Sequence, residues 1–224
     1  RIEIESGSTF SLKGKMIAPE VSGDIAITDG GDATVDRVTG NITMGQGKAT
    51  LNVVVGDVEI GDGSELISDD LTGDFTIDNG GEATVERLIG RMIMRRGRAN
   101  VKRIQGAVTV SEGAAFKSEN VEGDVEVDGE TAEITLDNVT GNVNIIKGIN
   151  KPGDSPGITT INGNYTQGSG AQLDMEIAGA DSSLYDQLVV IDGTINLAGT
   201  LNITFLDSYN GTGGGVFNIL SVTN

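Results

Sequence analysis

Carboxylate or amide side chains directly follow six of eight regularly spaced glycines, and stacked oxygens of this kind could bind a cation. These positions hold Asp24, Asn41, Asp57, Asp74, Arg91, Ala107, Asp124 and Asn142. If equivalent residues stack about 5 Å apart, as neighbouring strands do, their oxygens suit Ca²⁺, which takes several oxygen ligands. The alternative is a solvated polar line on an outer face, in which Asn, Arg and Ala relieve the repulsion between carboxylates. Ca²⁺ is therefore the one cofactor the sequence suggests; otherwise it predicts none.

Basic residues are concentrated in one short segment. Seven of the 15 Lys and Arg residues fall between positions 87 and 103: Arg87, Arg91, Arg95, Arg96, Arg98, Lys102 and Arg103. We single out Arg91, Arg95, Arg96 and Arg98 as a candidate patch for a polyanion or a surface glycan. The alternative is that these side chains pair with acidic residues one repeat earlier. Asp74, Asp78, Glu82 and Glu86 lie one period before Arg91, Arg95, Arg98 and Lys102, respectively.

The composition excludes several kinds of chemistry. The 224 residues include no Cys, His or Trp, which rules out disulfides, zinc sites built on Cys or His, Cys nucleophiles and triads with a histidine base. A formal charge of -18 argues against nucleic acid as a partner. No stretch approaches the roughly 20 apolar residues of a membrane helix, so no transmembrane segment is predicted.

Polysaccharide cleavage would need two carboxylates about 5 to 9.5 Å apart across a cleft. The acidic residues of this chain recur at regular intervals with the spaced glycines. No long insertion interrupts that regular spacing, so no inserted loop is available to carry such a pair. The tyrosines that could stack on sugar rings, Tyr165, Tyr185 and Tyr209, all lie in the last third. We therefore predict a protein that is not an enzyme.

A period of about seventeen residues organises the first two thirds of the chain. The eight glycines are separated by 17, 16, 17, 17, 16, 17 and 18 residues: Gly23, Gly40, Gly56, Gly73, Gly90, Gly106, Gly123 and Gly141. An aliphatic residue stands two positions before each of them, and apolar residues stand two and four positions after. This alternation is typical of short strands, and a strand pattern repeated every seventeen residues leaves no room for a crossover helix. The sequence therefore predicts an all-β fold, a parallel β-helix or β-solenoid, over residues 1–148.

The rest of the chain has a different pattern. Residues 149–157 hold two of the three prolines and read as a turn-rich junction. Strand-like runs continue over residues 158–224 with longer spacing, and no Lys or Arg follows Lys151. We expect wider, less regular coils there, or a small sheet.

The segment from Pro152 onward contains a series of short motifs: Pro152-Gly-Asp-Ser-Pro-Gly157, Gly163-Asn-Tyr-Thr-Gln167, Tyr185-Asp-Gln-Leu-Val-Val190, Gly193 to Leu201 and Phe217-Asn-Ile-Leu220. With these motifs the segment resembles the C-terminal part of exported bacterial β-helix proteins of the autotransporter-like and adhesin-like kind. It covers about a third of the chain. The preceding array is also similar to the coils of bactofilins, but a bactofilin-like cytoplasmic scaffold does not fit the final third. The resemblance implies an exported protein, extracellular or on the cell surface, and names no single activity.

The main functional expectation is a non-catalytic structural or adhesive β-solenoid, part of a surface stalk, filament or biofilm matrix. The end coils of a solenoid expose unpaired backbone groups, and no amphipathic helix in this sequence is available to cover them. Either further chain covers the ends, or they meet other copies, which would give a head-to-tail homopolymer. The alternative function is a polysaccharide-binding or polysaccharide-cleaving β-helix.

Overall fold

The computed structural model describes residues 1–5, 7–154, 156–206, 209, 211 and 215–223. Ser155 of the predicted junction, and Asp207, Ser208, Asn210, residues 212–214 and Asn224 of the predicted final segment, lie outside this set. The chain divides into two compact units, Arg1–Val108 and Thr109–Asn224, called here the N-terminal and C-terminal units. Both consist of parallel strands stacked as a β-solenoid, which confirms the predicted fold class.

The N-terminal unit is built from short strands joined by tight turns. They are β1 (Ile2–Glu3), β2 (Thr9–Leu12), β3 (Lys15–Ser22), β4 (Asp24–Ile27), β5 (Gly31–Thr39), β6 (Ile42–Met44), β7 (Gly47–Val55), β8 (Val58–Ile60), β9 (Glu65–Thr72), β10 (Phe75–Ile77), β11 (Gly81–Ile89), β12 (Met92–Met94) and β13 (Gly97–Gln105), with β14 (Val108–Ser111) starting at the boundary.

Residues that share a position in the repeat lie side by side in the N-terminal unit. One row of parallel strand partners runs through Ile25, Ile42, Val58, Phe75 and Met92. All five side chains are at most 2 % exposed. Because alternate residues of a strand point to opposite faces, such rows form the aliphatic core, while the residues between them form the surface.

A glycine lies at the corner two residues before each member of this row. The backbone conformation and the close approach of the preceding coil leave no space for a Cβ atom there. At Gly73 the backbone φ is +143°, and an added Cβ would lie 2.2 Å from the carbonyl oxygen of Gly56 in the preceding coil. Gly56 meets the carbonyl oxygen of Gly40 in the same way. The corner glycines therefore form a column with backbone packed directly on backbone.

The C-terminal unit has the same kind of winding, with coils that become larger. Its strands are β15 (Ala115–Glu122), β16 (Val125–Thr140), β17 (Val143–Pro152), β18 (Ile158–Asn162), β19 (Tyr165–Ile177), β20 (Gln187–Ile191), β21 (Ile195–Leu197), β22 (Thr200–Phe205) and β23 (Leu220–Thr223), with one 3-10 turn at Ser182–Leu184.

The widening of these coils can be read from the register. Val125 pairs with Val143, Val143 with Tyr165, and Tyr165 with Ile195. The steps are 18, 22 and 30 residues. In these longer coils β19 has thirteen residues, and Tyr165 at its start is completely buried.

Candidate functional site

The residues that follow the corner glycines form what we call the corner ladder. In the N-terminal unit each Asp or Asn side chain of the ladder accepts a hydrogen bond from the backbone N–H at the same position one coil later. Asp24 Oδ1 accepts from Asn41 N at 2.8 Å, and Asn41 Oδ1 accepts from Asp57 N at 2.9 Å. Asp57 Oδ1 accepts from Asp74 N at 2.8 Å, and Asp74 Oδ1 from Arg91 N at 3.1 Å. The ladder therefore bonds neighbouring coils at the corner.

The same device operates in the C-terminal unit. Asp124 Oδ1 accepts from Asn142 N at 2.7 Å, and Asn142 Oδ1 from Asn164 N at 3.1 Å. Asn164 Oδ1 then accepts both the backbone N–H and the hydroxyl of Thr194, at 3.0 and 2.9 Å. The ladder persists although the coils widen from 18 to 30 residues, so it depends on the corner rather than on coil length.

These contacts bear on the predicted use of the ladder for Ca²⁺. One oxygen of every Asp and Asn in the ladder is already committed to a backbone N–H. Within the part of the chain that the structure describes, no three Asp or Glu side chains are grouped to hold a metal ion. The chemistry that the ladder shows is acceptance of amide hydrogen bonds, and Ca²⁺ binding stays a prediction, to be tested by adding Ca²⁺ and chelator during unfolding.

We expect Asp57→Ala to lower the free energy of unfolding by about 1 kcal/mol, the usual net value of one hydrogen bond. Alanine removes the acceptor for Asp74 N. Asp57→Asn keeps an Oδ1 in place and should unfold like the wild type in urea. Equal losses in the two variants would show that charge, not the amide hydrogen bond, is what this position contributes.

The basic cluster is tied to the preceding coil at the predicted offset. Arg91 pairs with Asp74 at 2.8 Å, Arg95 with Asp78 at 3.5 Å and Lys102 with Glu86 at 3.6 Å. Three of the four predicted pairs are therefore present. In the fourth, Arg98 is the strand partner of Glu82, yet the Arg98 side chain forms no ion pair or hydrogen bond with any described residue. Arg87 adds a pair that the sequence analysis did not include, with Asp70 at 2.6 Å.

The candidate polyanion patch is thus divided between engaged and available side chains. Arg91 and Arg95 form ion pairs with acidic residues of the preceding coil. Arg96 also has an interaction partner. All the measured pairs are solvent-exposed, which limits each to about 1 kcal/mol or less. Arg91 and Arg95 each link neighbouring coils, and their side chains remain about half exposed.

Arg91 sets the titration of its ladder neighbour. The pKa of Asp74 lies below its ordinary value of 3.8, first because Arg91 N donates to the carboxylate and then because the guanidinium of Arg91 does. A lowered pKa means that Asp74 stabilises the fold above its unfolded-state pKa, and that this contribution disappears as pH falls through the folded-state pKa.

We therefore expect an NMR titration to place the pKa of Asp74 below 3.8 in the wild type. In Arg91→Ala the pKa should rise only part of the way back, because the backbone N–H at position 91 still donates. A complete return to the ordinary value would contradict the leading role of the backbone hydrogen bond.

A shallow groove of about 330 Å³ follows the corner ladder over four coils of the N-terminal unit. One wall consists of ladder residues from Asn41 to Arg91. The other carries the residues two positions later, Thr43, Glu59, Thr76 and Ile93. The groove offers hydroxyl, carboxylate and guanidinium groups to solvent in a regular row.

The core of the C-terminal unit contains a polar chain that the sequence analysis did not predict. Asn150 Nδ2 donates to the Tyr165 hydroxyl at 3.3 Å, which lies 3.2 Å from Gln167 Oε1. Gln167 Nε2 donates to the backbone oxygens of Ala198 and Thr200. Burial raises the pKa of Tyr165 to about 12. The phenol therefore stays neutral and acts as a structural link between coils.

Asp186 forms a clasp between two distant segments of the same unit. The side chain is buried, with the residue 3 % exposed. Its Oδ1 accepts from Gly157 N at 2.7 Å, and its Oδ2 accepts from Glu176 N at 2.8 Å. The aspartate of the Tyr185-Asp186 motif thus fastens the turn after Pro152 to the end of β19.

The last coil of the C-terminal unit exposes apolar side chains that would otherwise belong to the core. Leu197, Leu201, Phe205 and Val222 are 46 to 49 % exposed. Their strand partners one coil earlier, Gln167, Leu173, Ile177 and Val190, are at most 4 % exposed. A further layer of chain on this coil would bury the same rows again, so this end is the candidate interaction surface of the unit.

Comparison with protein-family models, curated proteins and solved structures finds no match for this chain. Among the described residues, no helix has the length and apolar character needed to cross a membrane.

Proposed function

We propose that this protein is a non-catalytic mechanical element: a β-solenoid segment of an extracellular stalk, filament or adhesin. The observation that carries the proposal is that many of its charged and polar side chains bond to a neighbouring coil. Carboxylates, amides and guanidinium groups of the corner ladder and of the basic cluster are bonded to the neighbouring coil. Hydrogen bonds and ion pairs between successive coils suit a protein whose coils must resist being pulled apart.

The resemblance of the final third to exported β-helix proteins supports the extracellular location. The proposal includes assembly of copies end to end. Among the described residues, strands of the first coil of the N-terminal unit and of the last coil of the C-terminal unit are each paired on one side only, and that last coil exposes apolar side chains. A contact between unlike ends propagates without closing, which produces a fibre.

Electron microscopy of the purified protein tests this assembly. We expect fibres at high protein concentration, and lateral association of those fibres when salt or divalent cations screen the charge of -18. Monodisperse single particles at high concentration, with and without added salt, would contradict the proposal.

A polysaccharide-binding function is the second candidate, and the state of Arg98 favours it. The Arg98 side chain is exposed and forms no ion pair or hydrogen bond with a described residue, and Arg95 and Arg96 lie close to it in the chain. A screen of acidic and neutral polysaccharides for binding and cleavage tests this function. Binding should weaken in the double variant Arg95→Ala, Arg96→Ala and persist in Lys15→Ala, Lys48→Ala, which removes the same charge elsewhere in the N-terminal unit.

A further inference from the structure

Arg103 lies beside another cation in the N-terminal unit. Its strand partner in β11 is Arg87, adjacent strands are about 4.8 Å apart, and like charges directly opposite each other repel. The Arg103 side chain is exposed and forms no ion pair or hydrogen bond with any described residue. Residues 87–106 include seven basic residues and no acidic one, so this stretch of chain offers Arg103 no carboxylate.

The other unpaired cations of this unit are placed differently. Three of them form no ion pair with a described residue, and each has an acidic strand partner: Lys15 with Asp32, Arg37 with Glu20, and Arg98 with Glu82. A carboxylate at this distance offsets part of the positive charge even without a direct contact. Among the described residues of the unit Arg103 has no acidic strand partner, although the unit contains more acidic residues than basic ones.

The acidic side chains nearest in register are already engaged. Glu86 pairs with Lys102 at 3.6 Å, and Asp70 Oδ1 accepts from Arg87 Nε at 2.6 Å. The second of these bonds leaves the two Nη groups of Arg87 without an acceptor among the described residues. The donors open to a ligand are therefore the Nη groups of Arg87 and the whole guanidinium group of Arg103.

Both guanidinium groups belong to the surface of the unit. Residues 86 and 87 of β11 are both exposed, as are residues 102 and 103 of β13, so the alternation of buried and exposed residues is interrupted once in each strand. Arg87 and Arg103 thus reach solvent at the same place in successive coils. Guanidinium groups bind oxyanions through pairs of N–H donors, and a tetrahedral oxyanion has enough oxygen atoms to accept from both.

We propose that Arg87 and Arg103 together bind a tetrahedral oxyanion, a sulfate group. The ligand takes the place of the missing carboxylate and offsets the repulsion between the two cations. A sulfated polysaccharide is the expected source, because a polymer held at one sulfate keeps others close to the remaining cations of residues 87–106. The site goes beyond the mechanical role, and its assignment to a polysaccharide rests on the second candidate function above. It lies near the end of β13, whereas Arg95 and Arg96 precede the start of that strand.

Isothermal titration calorimetry with dextran sulfate, neutral dextran and inorganic sulfate tests the site. We expect the wild type to bind dextran sulfate and not neutral dextran. Arg103→Gln should weaken binding of dextran sulfate about tenfold, the factor for loss of one charge-assisted hydrogen bond.

Arg37→Gln is the matched control. Arg37 is exposed, has no ion pair with a described residue, and lies in the same row three coils before Arg87, but its strand partner is Glu20. This variant should bind dextran sulfate like the wild type. Arg103→Glu checks the fold: its carboxylate would lie beside Arg87, so the variant should resist urea at least as well as the wild type while losing dextran sulfate binding.

Equal affinity of the wild type, Arg103→Gln and Arg37→Gln for dextran sulfate would overturn the site in favour of diffuse attraction to the basic stretch. Loss of binding in the Arg95→Ala, Arg96→Ala variant alone would overturn the site and leave the polysaccharide-binding candidate standing. Binding of inorganic sulfate that weakens in Arg103→Gln, with no binding of dextran sulfate, would support the site with the free ion as its ligand and contradict the polysaccharide. No binding of either probe would overturn the site, while electron microscopy of fibres decides the mechanical role separately.

Discussion

Gly73→Ala should destabilise the N-terminal unit by at least about 3 kcal/mol, a loss at the upper end for single substitutions. At φ +143° an L-residue is strained, and the new Cβ would lie 2.2 Å from the Gly56 carbonyl oxygen. That oxygen belongs to the backbone and cannot rotate away, so the coils on both sides must move. Urea unfolding followed by circular dichroism measures the loss.

Gly45→Ala is the matched control. Gly45 has no left-handed φ, and an added Cβ there meets nothing within 4 Å. This variant should be neutral or stabilised by up to about 1 kcal/mol, because alanine restricts the unfolded chain. If Gly73→Ala unfolds like Gly45→Ala, the backbone packing assigned to the glycine column is incorrect.

Asp186→Ala should cost the C-terminal unit roughly 2 to 4 kcal/mol. The substitution removes the acceptor of two backbone N–H groups, Gly157 N and Glu176 N. Each partly buried donor left without a partner costs about 1 to 3 kcal/mol. Asp181→Ala is the control: Asp181 accepts from Ser183 N at the exposed 3-10 turn, and its loss should cost less than about 1 kcal/mol.

The contribution of the Asp186 carboxyl to the free energy of unfolding should depend on pH. Burial raises the pKa of Asp186 above its ordinary 3.8, against the lowering effect of its two amide hydrogen bonds. The folded state then holds this proton to higher pH than the unfolded chain does. The stability difference between wild type and Asp186→Ala should therefore shrink as pH rises from below 3.8 through the folded-state pKa. A difference that grows over this range would contradict the raised pKa.

The regular part of the fold was predictable because each coil repeats the same physical requirements. Corner glycines mark the turns, and the apolar residues two and four positions later mark the buried rows, so the sequence alone predicts register. Ion pairs such as Arg91 with Asp74 followed from the same offset. The widening at Tyr165 and Ile195 was expected only in outline, because the longer coils have no fixed period.

The hydrogen bonds of the corner ladder could not be predicted from the sequence. The sequence displayed a polar line, but only the distances show that Oδ1 reaches the next amide. A signal was present: Asp or Asn occupies six of the eight positions on this line and Glu none of them, as expected where a short side chain with an oxygen at the δ position is favoured. The clasp of Asp186 could not have been found this way, since its partners lie 29 and 10 residues away and outside the repeat.

Because each coil bonds to its neighbours through the same positions, a coil can be deleted from or added to the sequence as a whole unit. Removing residues 57–73 would join Gly56 to Asp74, which keeps a glycine at the corner and brings Asn41 Oδ1 within reach of Asp74 N. Ile42 would then meet Phe75, two residues that already occupy one buried row. Duplication or loss of single coils is thus a simple route by which evolution could tune how far this protein extends, without redesigning any contact.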